Sequence, residues 1–342
     1  MKKTLQLQGL RTIGCFLIVA CHAAFKFDGG IGNAIFFALA GFLVVKPFME
    51  EDYKINSFRE VLVFYLKKIV TICIPYWLII FSTNALFEGW TNIFKGEWDK
   101  VWLAACFYDC PAHFWFLQQI LVMYLFTPLI ILLHMGCKRI IKWKYFNIIF
   151  GAFLIGLALI FYFFVNENVI FFYSGGAKAP FRVYSYLIGM GFAYFYTIIV
   201  QNKITLNKLA QHLAAIIPFS LIVLSIFSVY IFKINVGWTY QFLSGILAAL
   251  VIFLLTWLNN SWLSIGLRFK PLVEIGNVTY VIYIIHVFVI PQITAETPRY
   301  ALIVVLIVSI ALAYLLQKVL FDPINKLCQK FIYPKILGTQ AQ

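Results

Sequence analysis

GLRTIGCFLIVACHAAFKF, running from Gly9 to Phe27, decides how the rest of the chain is read. The stretch is apolar enough to span a membrane, yet it carries an arginine, Arg11, and a histidine, His22. Eleven residues of α-helix advance about 16 Å and turn about 1100°, three full turns plus about 20°. Arg11 and His22 therefore project from one face, one above the other. An ionisable side chain at the bilayer centre costs at least about 2.5 kcal/mol on insertion scales and marks a functional path by default. Two on one stripe imply a polar cleft beside the helix. The competing reading is that Arg11 snorkels to headgroups beside Lys2 and Lys3 while His22 reaches water at the far surface. Spacing alone leaves both open.

Working outward, the 342 residues are 63% hydrophobic and only 12% charged, with a mean hydropathy of +0.91. A soluble domain carries about 25% charged residues. The composition predicts an all-α polytopic membrane bundle, read as a single domain over residues 1–342 with no fused soluble domain. At about 20 apolar residues per span, ten candidates follow: 9–27, 30–49, 69–88, 113–134, 147–165, 180–200, 212–232, 242–260, 277–295 and 300–321. The polar stretches 50–68 and 89–112 read as loops or surface helices.

The net charge of +14 does not call for a nucleic-acid partner, because the basic residues cluster in short loops. With the N-terminus cytoplasmic, the outer segments hold seven of the 27 Lys and Arg: Lys26, Lys95, Lys100, Lys178, Arg182, Lys233 and Arg299. The other twenty fall inside. That asymmetry follows the positive-inside rule and predicts both termini in the cytoplasm. Lys2 and Lys3 before an apolar run imitate a signal peptide, and Ile18-Val19-Ala20-Cys21 imitates a lipoprotein cleavage site. Because further spans follow at once, the segment is read as a retained first helix.

The thirteen acidic residues all fall in loops or at span ends. This argues against a carboxylate proton relay and against the paired carboxylates of glycoside hydrolysis. The titratable set in the spans is instead rich in histidine: His22, His134, His286 and, where the fourth span opens, His113. Histidine is the usual general base near neutrality. His134 and His286 also read as structural. Arg182 serves equally as an interfacial anchor or a substrate contact. Trp115, Tyr184 and Tyr186 can stack on a sugar or form an interfacial belt. Lys67-Lys68 and Lys138-Arg139 can grip a phosphate or serve topology alone. The seven cysteines show no metal-ligand spacing, and Cys106 and Cys110 in CFYDC leave a disulfide conceivable.

Taken together, these residues resemble the integral-membrane acyltransferase-three family, which O-acylates cell-surface polysaccharides and related glycans. Gly9-Leu10-Arg11 followed by His22 is similar to its first-helix arginine–histidine motif. IFFALAGFLV (Ile35 to Val44) resembles the second-helix motif, and FYLKKIVTICIPYW (Phe64 to Trp77) the entry to the third. HFWFLQQILVMYLFTPLI (His113 to Ile130), FRVYSYLIG (Phe181 to Gly189) and IGNVTYVIYIIH (Ile275 to His286) resemble three later signatures, in the family's order. The resemblance implies a multi-pass protein of the bacterial cytoplasmic membrane that takes acetyl-CoA from the inside and a glycan hydroxyl from the outside. It implies His22 as the catalytic histidine, either a general base toward the acceptor hydroxyl or the residue that itself carries the acyl group, with Arg11 as its partner. Lys67, Lys68, Arg182, His113, Trp115, Tyr184 and His286 are the candidate substrate or cofactor contacts, and no metal is implied.

The pattern is not complete. Gln8 stands where the family often has an acidic residue, Ala34 and Ala40 replace its usual Asp and Ser, and Thr71 or Ile72 replaces a second arginine. The family's optional extracellular domain is absent from this sequence, so a separate extracytoplasmic protein would have to complete any later step. The alternative reading is a transporter or flippase of a lipid-linked glycan, with the polar stripe lining its path.

Overall fold

Proline placement shapes the helices that frame the site. In the computed structural model of the protein, the described residues are 4–23, 29–50, 55, 57–87, 98–110, 114–166, 171–174, 177–180, 182–232, 238–294 and 301–338. Helix α1 (Leu5–His22) and α2 (Gly30–Met49) form an antiparallel hairpin. Next, α3 (Phe58–Lys68) runs through a π-helical stretch, Ile69–Cys73, into α4 (Ile74–Phe87). A short α5 (Trp98–Ala105) precedes α6 (Trp115–Ile140) and α7 (Phe146–Asn166). Then come α8 (Tyr184–Gln201), α9 (Lys208–Phe232), α10 (Trp238–Trp257), a five-residue α11 (Trp262–Gly266) and α12 (Lys270–Thr294). The last helix begins as α13 (Ala301–Leu316) and continues through two further π stretches, Gln317–Phe321 and Cys328–Ile332, to Leu337.

All three π stretches are followed, after one residue, by a proline: Pro75, Pro323 and Pro334. A proline ring clashes with the carbonyl four residues back and offers it no N–H. Widening the preceding turn to i→i+5 bonding moves that carbonyl aside, as in Ile74 N–H donating to Ile69 O.

Nine of the described helical stretches are long and apolar enough to cross a bilayer. The protein is thus an all-α membrane bundle. The remaining expected span, the sixth (180–200), corresponds to α8, which is 18 residues long and rich in tyrosine and glycine. It can be so because it packs against α2, α7 and α10 and is largely buried within the bundle. Tyr186, Ile188, Met190, Ala193 and Tyr194 of α8 are fully buried. The small sheet β1-β2-β3 (Asp109–Cys110, Phe171–Ser174, Ala177–Pro180) is the one β element among the described residues, with β1 parallel and β3 antiparallel to β2.

Two boundaries differ most from the sequence expectation. The third span starts at Phe58 rather than 69, because Ser57 and Glu60 form a capping box: Glu60 N–H donates to Ser57 Oγ and Ser57 N–H to Glu60 Oε2. The last helical stretch, expected over 300–321, covers 37 residues, about 55 Å of helix against a hydrocarbon layer of about 30 Å. Its surplus turns fold onto α3 through Val63, Cys328 and Tyr333.

The α2–α8 crossing sets the width of the bundle beside the site. A Cβ on Gly41 would strike Tyr186 O, and one on Gly189 would strike Ala38 O, so the two backbones touch as small-residue crossings permit. Gly41→Val is expected to destabilise the protein by about 1–3 kcal/mol through overpacking. A lowered unfolding midpoint of the purified protein in detergent would register it, and an unchanged midpoint would show that this crossing does not set the packing.

Candidate active site

A cavity of about 450 Å³ lies between α1, α2, the α3–α4 junction, α6, α12 and the first turn beyond α13. Its wall on α2 runs from Asn33 to Val44, about 16 Å of helix rise. The end nearer the N-terminus of α1 is polar and cationic. Arg11 and Lys68 line it with Thr71, Asn277 and Gln317. The middle is apolar, formed by Leu39, Ala40, Leu117 and Ile120, and the far end holds Asn33, Phe36, Phe116 and Tyr283. No carboxylate lines the cavity among the described residues.

The polar end owes its shape to the π turns. The Ile69–Cys73 stretch brings Thr71 and Ile72 into the wall, and Tyr280 O–H donates to Ile72 O at 2.6 Å. Gln317 enters the wall from the matching π stretch of the last helix. Arg11 is half-buried, and its Nη1 donates to Gln8 Oε1 at 3.1 Å. Lys68 Nζ sits 3.8 Å from the centre of the Tyr124 ring, a cation–π contact that keeps the ammonium at the cavity. The adjacent Lys67 points elsewhere, 5.7 Å from the Tyr333 ring, as the 100° turn per helical residue requires.

His22 is not in the cavity wall. It stands exposed at the end of α1, with Nδ1 2.7 Å from Nε2 of His286. His286 is fully buried on α12, one turn beyond the cavity-lining Tyr283, with ring centres 5.9 Å apart. Arg11 and His22 thus bracket the cavity lengthwise, the arginine in its wall and the histidine past its far end.

Asn33 also lines a second, narrow cleft with Phe37, Trp115, Arg182, Tyr184, Ser185 and Gln241. Its volume of about 10 Å³ is close to that of a single water site. Arg182 lies over the Trp115 ring at 5.0 Å, and its backbone N–H donates to Gln119 Oε1. Three sequence candidates, Trp115, Arg182 and Tyr184, therefore meet in one place. His113 lies outside the described residues. His134 belongs to neither space. It is buried between α6, α7 and α8, where Nε2 pairs with Asn147 Oδ1 at 3.0 Å and Asn147 Nδ2 donates to Thr197 Oγ1. Cys106 is exposed and Cys110 buried against Tyr76, and neither forms a disulfide.

A family model described as an acyltransferase domain, that of the acyltransferase-three family, matches residues 5–318 of the chain. The chain belongs to the acyltransferase-three family. No curated protein and no solved structure matches it. The match takes in every helix that borders the cavity and the cleft, from α1 to the first turn beyond α13. Sequence reading of this acyltransferase missed Asn33, Tyr283 and Gln317, which carry no charge. The signal for Asn33 was present: it is a lone amide inside IGNAIFFALAGF, costly in a span for the same reason as Arg11.

Proposed function

We propose that this acyltransferase moves an acetyl group from acetyl-CoA to a hydroxyl of an exported or cell-surface glycan, and that it works in the bacterial cytoplasmic membrane with both termini in the cytoplasm. The observation that carries the proposal is the long cavity with two cations and, among the described residues, no carboxylate at one end and a histidine pair beyond the other. Such an end suits an anionic group. Arg11 offers a planar fork for phosphate and Lys68 a point charge, as the diphosphate of acetyl-CoA requires. The apolar middle suits the pantetheine arm, which would deliver the thioester to the far end near Tyr283.

At that end His22 acts as the general base. Its free ring nitrogen takes the proton of the acceptor hydroxyl while the oxygen attacks the thioester carbonyl. The new C–O bond forms, the C–S bond breaks, and the departing thiolate recovers the proton from the imidazolium. The cleft of Trp115, Arg182, Tyr184 and Asn33 is the proposed acceptor contact, since aromatic faces and a guanidinium suit a polar sugar. Its small volume means that the acceptor must open it.

The test compares surface glycans from cells with and without the protein by mass spectrometry. Loss of the acetyl increment in its absence is expected, together with CoA thiol release by the purified protein when acetyl-CoA and that glycan are supplied. Glycan movement across the membrane without thiol release would overturn the proposal in favour of transport.

A further inference from the structure

A general base must present one bare ring nitrogen, and imidazole has two. We infer that His286 is a positioning residue that fixes His22 as its Nδ1–H tautomer, leaving Nε2 of His22 bare and facing the acceptor. The inference deepens the acyl-transfer reading and rests on it for the role of His22, but the tautomer itself follows from geometry.

Three contacts carry it. His286 Nδ1 lies 2.7 Å from Tyr283 O and 3.2 Å from Ile282 O, on its own helix. A carbonyl only accepts, so His286 Nδ1 carries the hydrogen. The ring is fully buried, and no carboxylate pairs with it among the described residues. A buried charge without a partner is expensive, so His286 is neutral and its Nε2 offers only a lone pair. That lone pair lies 2.7 Å from His22 Nδ1, which must therefore donate.

The ring arrangement agrees. The two planes are 9° apart and the centroids 5.0 Å apart. With nitrogens 2.7 Å apart, a centroid distance that long is reached only when both rings lie edge to edge along one line. This is the arrangement of an in-plane N–H···N bond, not of stacked faces. His22 is exposed, so its remaining nitrogen is open to substrate. When that nitrogen takes a proton, the Nδ1–H bond becomes charge-assisted and strengthens. His286 thereby does for His22 what an orienting carboxylate does in other acyl-transfer sites, using a backbone carbonyl as the anchor.

The experiment is ¹⁵N NMR of histidine-labelled full-length protein in detergent, with glycan acetylation measured in cells carrying the same variants. In the unsubstituted protein, His22 is expected to show a protonated Nδ1 and a bare Nε2. His286→Phe should shift it toward the Nε2–H tautomer and lower acetylation by about 100-fold, the order of general-base assistance. His286→Gln, whose amide oxygen can accept from His22 Nδ1–H, should restore the tautomer and much of the activity. A bare Nδ1 in the unsubstituted protein, or an unchanged tautomer in both variants, would overturn the inference. A tautomer shift with no loss of acetylation would overturn the positioning role. Failure of the acyl-transfer reading looks different, because the NMR result would stand while no protein-dependent acetylation was found.

Discussion

His22→Ala is expected to lower acetyl transfer by about 10²- to 10⁴-fold, the contribution of a positioned general acid–base, without loss of acetyl-CoA binding. The separation of the two effects follows from placement. His22 lies past the far end of the cavity and is absent from its wall, whereas the cationic end formed by Arg11 and Lys68 lies on the opposite side of the apolar middle. Removing the imidazole would leave the proposed anion-binding end untouched and the thioester without a base beside it. His22→Gln should fail equally, because an amide fills the space and bonds to His286 but does not take a proton. A useful control is His134→Gln, in a histidine that is buried and bonded within the α6–α7–α8 interface. It should cost stability and leave transfer per folded molecule unchanged. Acetylation by His22→Ala at the unsubstituted rate would remove His22 from the chemistry.

Membrane architecture was legible in the sequence because lipid imposes a simple demand. A span needs a run of apolar residues, and Gly9–Phe27 shows both that run and its exceptions, Arg11 and His22. The helix start at Phe58 was also written, in Ser57-Phe58-Arg59-Glu60, a capping-box spacing passed over because the residues after it are polar enough to read as a loop. The π turns were half-written. A proline after an apolar run signals a disturbed ladder, but not that the disturbance turns Thr71 or Gln317 toward a cavity. Least legible were the pairings. His22 and His286 are 264 residues apart, and only the packing of α1 on α12 brings them together. The same holds for Trp115, Arg182 and Asn33, which come from three separate segments. Periodicity places a residue on a face and says nothing of what that face meets.

Arg11→Leu is expected to weaken acetyl-CoA binding by about 30- to several thousand-fold. Truncating one partner of a desolvated charge pair costs about 2–5 kcal/mol, and each 1.4 kcal/mol is about tenfold in affinity. Among the described residues, Arg11 and Lys68 share one cavity end without a carboxylate in its wall, so an anion entering there meets two cations. Lys68→Met should therefore also weaken binding, and the double variant should depart from additivity because both cations face one ligand. Lys67→Met should leave affinity nearly unchanged, because that ammonium is turned to the Tyr333 ring on the last helix. Arg11→Lys distinguishes a ligand contact from a headgroup anchor. Lysine snorkels as well as arginine but lacks the planar fork that grips phosphate oxygens in pairs. An anchor would survive that exchange. A phosphate contact would lose affinity while the protein kept its fold and its place in the membrane. Titration of the purified variants with acetyl-CoA and, separately, with CoA lacking the acetyl group reads the effect directly, and both ligands should weaken alike because the proposed pose puts the acyl group at the other end. Unchanged affinity in Arg11→Leu and Lys68→Met together would mean that the cationic end holds something other than the donor.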